Sequence, residues 1–268
     1  MTHTPPLKTS AAPAWDGLPM PRRLWAIVAV AFGVSLSVID GAIANVALPT
    51  IGRELGISEA DSIWIVNAYQ LAIMVSLLSF SALGDVVGYR KIYLGGLALF
   101  TLASVGCACS YSFATLVLTR VLQGFGAAAV TSVNTTLIRN IYPRAQLGRG
   151  MGINATVVAV SAVAGPTLAA AILSVASWPW LFAVNIPVGV TAFVLSRRYL
   201  PQNPVLVRDH RFDWRDGVLN ALTFGLLIAS IEGFSHGLDP RLIAFGVAAL
   251  LLIGFFFVRR QLREPYPI

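Results

Sequence analysis

The stretch LWAIVAVAFGVSLSVIDGAIANVA, residues 24–47, contains a single ionisable side chain, Asp40. A helix that crosses a membrane needs about 20 apolar residues, because each residue advances it by about 1.5 Å across a hydrocarbon core of about 30 Å. Residues 24–47 are therefore predicted to form a transmembrane helix. Seven further apolar stretches follow, at 62–83, 92–110, 113–138, 151–173, 178–196, 217–235 and 242–258. All are predicted to be helices, because the alternating pattern of a membrane barrel is absent from the sequence.

The composition supports an all-α integral membrane protein with about eight transmembrane helices. Of the 268 residues, 56% are hydrophobic and only 12% are charged, and the mean hydropathy is +0.74. So few polar side chains do not cover a water-soluble globule of this size, which argues against a soluble enzyme. No Ser/His, HExxH or paired-Asp arrangement lies inside the predicted spans, and no GxxxxGK[ST] phosphate loop occurs in the sequence. We therefore expect no enzyme activity and no ATP-driven transport.

The basic residues predict the orientation of the chain. The sequence has 19 Lys and Arg residues and a net charge of +7. If the predicted spans alternate in direction, most of these residues fall on the side of the amino-terminal tail, whereas Arg53 and Arg241 fall on the other side. Cytoplasmic connections carry the excess of positive charge in membrane proteins. Both termini are thus expected in the cytoplasm, and the positive charge indicates topology, not a nucleic-acid partner.

Two charged residues, Asp40 and Arg120, lie deep inside predicted spans. The first span is predicted to end near Leu48 and Pro49, which places Asp40 roughly 12 Å inside the outer boundary. Arg120 is expected at a similar depth, so the two side chains can form a pair. A buried charge is costly and usually functional, and a carboxylate in this position is suited to carry a proton. A static salt bridge that only fixes helix packing is the alternative interpretation.

Glu232 and His236 form a weaker candidate site. They lie one helical turn apart near the outer end of the seventh predicted span. They are a candidate secondary proton relay, but both can reach water from there, which favours ordinary placement at the water interface.

Two glycine-containing segments are further candidate functional motifs. The first is GDVVGYRK, Gly84 to Lys91, which is predicted to be a cytoplasmic connection of about eight residues between the second and third spans. Its glycines permit a tight reversal, and Asp85 is expected to accept hydrogen bonds from a helix N-terminus or from an Arg. The second is Gly165-Pro166 in the fifth span, where small residues permit close packing and the proline permits bending.

These segments resemble motifs of the major facilitator superfamily, in particular its fourteen-helix drug:proton antiporter branch. VIDGAIANVALPTIGREL (Val38 to Leu55) resembles the helix 1 motif of that branch, and GDVVGYRK resembles its loop motif. LTRVLQGFGAA (Leu118 to Ala128) is similar to the helix 4 motif, and SAVAGPTLAA (Ser161 to Ala170) is similar to the helix 5 antiporter motif. WPWLFAVNIPVG (Trp178 to Gly189) resembles helix 6.

The resemblance implies a role for each motif. Asp40 would be the site where a proton and a drug compete, and Arg120 would be its coupling partner. A cytoplasmic latch is implied at Gly84, Asp85, Gly88, Arg90 and Lys91. Gly165 and Pro166 would form the helix 5 hinge.

The resemblance also implies a domain organisation. Residues 1–21 are expected to be a disordered cytoplasmic tail, 22–198 a six-helix bundle of three-plus-three inverted repeats, and 199–216 a cytoplasmic linker. Residues 217–268 would contain the two extra helices of the fourteen-helix branch. A complete member has a second six-helix bundle, which this sequence lacks. We therefore expect a truncated chain, or a half-transporter that associates with itself or with a separate second half.

The function implied is proton-coupled export of amphipathic or cationic drugs through a bacterial inner membrane. The alternative is a truncated membrane remnant or half-transporter subunit that does not transport by itself. The expected partners are the small-molecule substrate, protons and the lipid bilayer. The proton gradient would supply the energy, so no cofactor and no metal ion are expected.

Overall fold

The computed structural model describes residues 16–202, 214–235 and 240–262, and within these ranges the chain is helical without any β-strand. A short 3-10 turn, Arg144–Gln146, precedes the sixth helix. The helices are α1 Arg22–Leu55, α2 Glu59–Val87, α3 Tyr89–Ala108, α4 Phe113–Ser132, α5 Asn134–Ile141, α6 Leu147–Leu173, α7 Pro179–Ala183, α8 Asn185–Tyr199, α9 Trp214–Ser235 and α10 Pro240–Gln261.

Six helical segments in the described residues are long and apolar enough to cross a membrane. They are α1, α2, α3, the pair α4 and α5, the 3-10 turn with α6, and the pair α7 and α8. These six correspond to the first six predicted spans. The last two predicted spans are also helical. They correspond to α9 and α10, which are each 22 residues long. They pack against each other, and α9 also packs against α2.

Small residues allow the central helices to approach closely. A Cβ atom added to Gly124 of α4 would lie 2.6 Å from the main-chain oxygen of Tyr69 in α2. One added to Gly126 would lie 2.6 Å from the main-chain nitrogen of Phe100 in α3. Because helices in lipid associate through such close backbone contacts, α4 packs tightly between α2 and α3. This packing places Arg120 at the centre of the bundle.

The first helix is longer than the sequence predicted. It continues through Pro49 to Leu55 instead of ending near Leu48. Gly56, at φ 63°, ends the helix, and the N–H of Ile57 donates to the Gly52 carbonyl at 3.0 Å. A proline inside a membrane helix removes one hydrogen bond but does not stop the helix when the rest of its backbone stays paired. Asp40 is consequently farther from the helix end than predicted.

The predicted eight-residue loop between the second and third spans is also wrong. Gly88 is the only residue between α2 and α3, and its φ of 108° lies in a region that glycine adopts readily. Gly84 and Asp85 belong to the last turn of α2, whereas Arg90 and Lys91 belong to the first turn of α3. The reversal therefore takes one glycine instead of a loop.

The described part of the predicted disordered tail is packed against the bundle. Leu18 is 2% exposed, and its N–H donates to the Ile141 carbonyl at 2.9 Å. Asp16 accepts a hydrogen bond from the main-chain N–H of Arg144 at 3.2 Å. Residues 1–15 of the tail and 203–213 of the predicted linker lie outside the described residues.

Candidate functional site

Asp40 of α1 and Arg120 of α4 meet inside the bundle. Nη1 of Arg120 lies 2.5 Å from Oδ2 of Asp40, and both side chains are 0% exposed. Removing two charges from solvent is costly unless additional hydrogen bonds satisfy their remaining polar atoms. The surroundings of the pair supply such bonds.

Gln123 bridges the two charged groups. It follows Arg120 by three residues on α4, so both side chains lie on the same helix face. Its Oε1 accepts from Arg120 Nη1 at 2.7 Å, and its Nε2 donates to Asp40 Oδ1 at 2.9 Å. The same nitrogen donates to Ser104 Oγ of α3 at 2.9 Å, and Cys107 Sγ donates to Oε1 at 3.4 Å. These partners fix the orientation of the amide.

Two further helices contribute hydrogen bonds to the pair. Nδ2 of Asn185, at the start of α8, donates to Asp40 Oδ1 at 2.7 Å. Arg120 Nε donates to the main-chain oxygen of Ile65 in α2 at 3.1 Å. The site thus joins α1, α2, α3, α4 and α8 around one ion pair.

Two aromatic rings pack against the guanidinium group. Its central carbon lies 4.1 Å from the ring centre of Tyr69 and 5.5 Å from that of Phe182. Arg120 Nη2 is buried, and no hydrogen-bond partner for it is recorded in the described residues. The aromatic faces provide a favourable electrostatic environment for this part of the cation.

A partly polar cavity lies beside the pair. Its volume is about 400 Å³, and residues of α1, α2 and α4 surround it. The lining residues are Ser37, Val38, Gly41, Ala42, Asn45, Tyr69, Gln70, Ile73 and Thr131. Binding sites for small molecules have this combination of apolar walls and a few polar groups.

The predicted latch residues lie apart from this buried cluster, at the ends of α2 and α3. Asp85 accepts a hydrogen bond from the Tyr89 hydroxyl, a partner that the sequence did not suggest. Arg90 Nη2 donates to the main-chain oxygen of Arg197 at the end of α8. Lys91 is exposed, and a Cβ atom added to Gly84 would lie 3.0 Å from side chains of Tyr89 and Val133.

The helix 5 motif packs directly on α1. A Cβ atom added to Gly165 of α6 would lie 2.5 Å from Cβ of Ala42, two residues after Asp40. Ser161 and Ser35 join the same two helices through a hydroxyl contact of 3.0 Å. Pro166 lies inside α6. The motif is therefore next to the helix that holds the acidic residue.

The second candidate site is only partly described. Glu232 lies in α9, whereas His236 lies outside the described residues. The relay suggested for these two residues stays a prediction.

Sequence reasoning identified the two charges and their pairing, but not the neutral residues that surround them. It did not assign Gln123, Asn185, Tyr69 or Ser104 to the site. The spacing of Arg120 and Gln123 on one helix face was an available signal for Gln123. The other three required knowledge of how the helices are rotated in the bundle.

Comparison with known families identifies the fold. A sequence model of the Major Facilitator Superfamily matches residues 30–264. The chain belongs to this superfamily. The superfamily and the apolar helices make it a multi-pass membrane protein.

Curated relatives in this superfamily carry different names. The uncharacterized transporter YebQ of Escherichia coli (strain K12) is 56% identical over 94% of this chain and 55% of its own length. The riboflavin transporter RibZ of Clostridioides difficile (strain 630) is 34% identical over 91% of this chain and 52% of its own length. The "Putative multidrug resistance protein MdtD" of Salmonella typhi is 35% identical over 86% of this chain and 50% of its own length. The chain thus spans about half the length of the curated relatives it matches.

A solved structure shows the same fold. It is a bacterial homologue of the human lysosomal transporter Spinster, in an inward-facing and unoccupied conformation. The sequence identity is 18% and the TM-score is 0.57, over 87% of this chain and 59% of that chain.

Proposed function

We propose that this chain forms the N-terminal bundle of a secondary transporter that exports amphipathic or cationic compounds in exchange for protons. The observation that carries the proposal is the buried Asp40–Arg120 pair beside a partly polar cavity. Ionisable residues inside membrane proteins typically mark the path of an ion or a substrate. The multidrug-resistance name of MdtD supports this substrate class, and the name of RibZ adds flavins as a second class to test.

The proposed mechanism uses Asp40 as a binding site for either a proton or a cation. In the anionic form, its carboxylate accepts hydrogen bonds from Arg120, Gln123 and Asn185. Proton uptake removes the negative charge and weakens the attraction to Arg120. Release of that proton to the cytoplasm restores the anion, which attracts the next cationic substrate. The proton gradient supplies the energy, and alternating access lets the two events occur on opposite sides.

The remaining motifs have proposed roles in the conformational change. Asp85, Arg90 and Lys91 would belong to a cytoplasmic latch, with Gly84 and Gly88 allowing the tight connection. Gly165 and Pro166 would allow α6 to bend against α1 while the helices stay in close contact. We also propose a location in the bacterial inner membrane with both termini in the cytoplasm. The second bundle would come from further residues, a separate chain or a second copy of this chain.

The substitution Asp40→Asn in the protein at its natural full length tests the function. It retains the size of the side chain but removes its titration. Inverted membrane vesicles are energised by respiration, and a cationic amphipathic compound such as ethidium is then added. The wild-type protein should release protons from the vesicles, as followed by a pH-sensitive dye, whereas Asp40→Asn should match vesicles without the protein.

The matched control is Glu54→Gln, which removes an exposed carboxylate from the same helix. It should retain wild-type proton release. Persistent substrate-linked proton release by Asp40→Asn would contradict the assignment of Asp40 and favour a static salt bridge. Proton release with riboflavin but not with cationic compounds would reject drug export in favour of flavin transport.

A further inference from the structure

The cavity lies next to the ion pair but does not open onto it. Ser37 and Gly41 of α1 line the cavity on either side of Asp40 in the sequence. Asp40 and Arg120 themselves are fully buried and are not among the described residues that line the cavity. A substrate in the cavity therefore reaches the carboxylate only if a side chain between them moves.

The side chain of Tyr69 contacts both the cavity and the ion pair. It lines the cavity, and its ring lies 4.1 Å from the guanidinium carbon of Arg120. Its hydroxyl donates to the main-chain oxygen of Ser37 at 2.9 Å, so the tip of the ring is attached to α1 about one turn before Asp40. Among the lining residues in the described part of the chain, Tyr69 is the one whose aromatic ring packs against Arg120.

We propose that Tyr69 is a gate between the cavity and the Asp40–Arg120 pair, and that the ligand that opens it is an amphipathic organic cation. When the ring turns away, the hydrogen bond to Ser37 breaks and Arg120 loses an aromatic face. Opening the gate therefore also removes an aromatic contact that holds Arg120 in place. Once the Tyr69 ring no longer packs on Arg120, its free face can bind an organic cation, whereas a neutral compound gains less binding energy from that face. The substrate preference rests on the proposed function, but the barrier itself does not.

The barrier is tested by chemical labelling of Asp40, without any transport. Dicyclohexylcarbodiimide, an apolar reagent, modifies carboxyl groups, and mass spectrometry of the peptide containing Asp40 measures the rate in purified protein. We expect Tyr69→Phe, which loses only the hydroxyl, to label about fivefold faster than wild type. Tyr69→Leu also loses the contact with Arg120, so we expect it to label at least about tenfold faster. Rates are compared over a range of pH, so that easier access is separated from a change in Asp40 protonation.

Tyr93→Phe is the matched control. Tyr93 of α3 is also fully buried, and its hydroxyl donates to the main-chain oxygen of Val30 in α1 at 3.1 Å. It does not line the cavity. Its labelling rate should equal that of wild type. Thermal unfolding checks that each variant is folded, and Tyr69→Phe carries the test if Tyr69→Leu does not fold.

Wild-type labelling rates in folded Tyr69→Phe and in every other folded Tyr69 variant would overturn the gate. An equal increase in Tyr93→Phe would also overturn it, because the effect would then be a general loosening of the bundle. If the gate variants label faster while Asp40→Asn still couples substrate to proton release, the gate stands and the proposed function fails. If the gate variants label at the wild-type rate while Asp40→Asn abolishes substrate-linked proton release, the gate fails and the proposed function stands.

Discussion

The uncharged residues around the ion pair determine whether the bundle tolerates it. The Asp40 carboxylate accepts three hydrogen bonds, from Arg120, Gln123 and Asn185. Gln123 uses its amide nitrogen twice and its oxygen twice, so it is the most highly connected neutral residue of the site. A buried ion pair costs free energy unless its remaining polar atoms are paired, and Gln123 satisfies atoms of both charged groups.

We expect Gln123→Leu to destabilise the protein more than Asn185→Leu. Gln123→Leu removes hydrogen bonds to both charged groups and should cost about 3–5 kcal/mol, whereas Asn185→Leu removes one bond to a carboxylate and should cost about 1.5–3 kcal/mol. The free energy of unfolding in mixed detergent micelles measures both. Asn45→Leu is the control, because Asn45 is exposed and its amide donates to the Gly41 carbonyl of its own helix. A loss in Gln123→Leu no larger than in this control would contradict the bridging role.

The charged residues of the site could be predicted from the sequence, whereas its neutral residues could not. Asp40 and Arg120 stand out because ionised side chains are rare in apolar stretches. Asn185 and Ser104 do not stand out, because neutral polar residues occur on many membrane helices for packing. Their contribution depends on which way each helix is turned, and the apolar stretches show little periodicity that would reveal it.

At the level of helices, the apolar stretches predicted well where each membrane helix lies, but predicted the ends of the helices less well. The end of α6 at Leu173 matches the predicted end of the fifth span, whereas its start at Leu147 lies four residues before the predicted start. The prediction failed at Pro49, where the apolar stretch ends but the helix continues to a glycine cap. It failed again at Gly88, because the polar residues around it belong to helix turns and not to a loop. Polar residues at a membrane surface therefore do not locate the end of a helix.

The contact between α6 and α1 predicts a compensating pair of substitutions. Gly165→Ala should push α6 away from Ala42 and destabilise the protein by about 1–3 kcal/mol, because the new methyl group has no room. Adding Ala42→Gly removes the methyl group that the new Cβ meets and should recover part of the loss, less about 1 kcal/mol for the new glycine inside α1. Thermal unfolding of the single and double variants measures this.

Gly152→Ala provides the control on the same helix. A Cβ atom added to Gly152 meets nothing within 4 Å, so the substitution should be neutral or stabilising by up to about 1 kcal/mol. Equal effects at Gly165 and Gly152 would show that helix propensity, not contact with α1, governs both positions.

The bundle as a whole has surfaces that suit a second bundle better than lipid. The cavity beside the ion pair contains the polar side chains of Ser37, Asn45, Gln70 and Thr131. Along α6, the small residues Ala159, Ala164 and Thr167 line a shallow, largely apolar depression of about 530 Å³. Polar groups and small residues of this kind occur where membrane helices contact one another.

We therefore expect the 268-residue chain, produced by itself, to self-associate in mild detergent. Association would shield the polar cavity lining from the apolar detergent core, at whose surface polar groups are costly. Light scattering coupled to size-exclusion chromatography gives the mass of the protein in the complex. A monodisperse monomer that persists at high protein concentration would contradict the expectation.

The packed segment before α1 constrains how this bundle can move. Besides the attachment of Leu18 to Ile141, Arg23 donates to Gln146 at 2.9 Å and Arg22 donates to the main-chain oxygen of Tyr199 at 3.2 Å. The start of the first span is thus tied to the connections that follow the fourth and the sixth. A force that tilts α1 is transmitted to all three helix ends at once. These three ends should therefore move together, so deformation of the first, fourth and sixth spans in the proposed transport cycle would concentrate away from them.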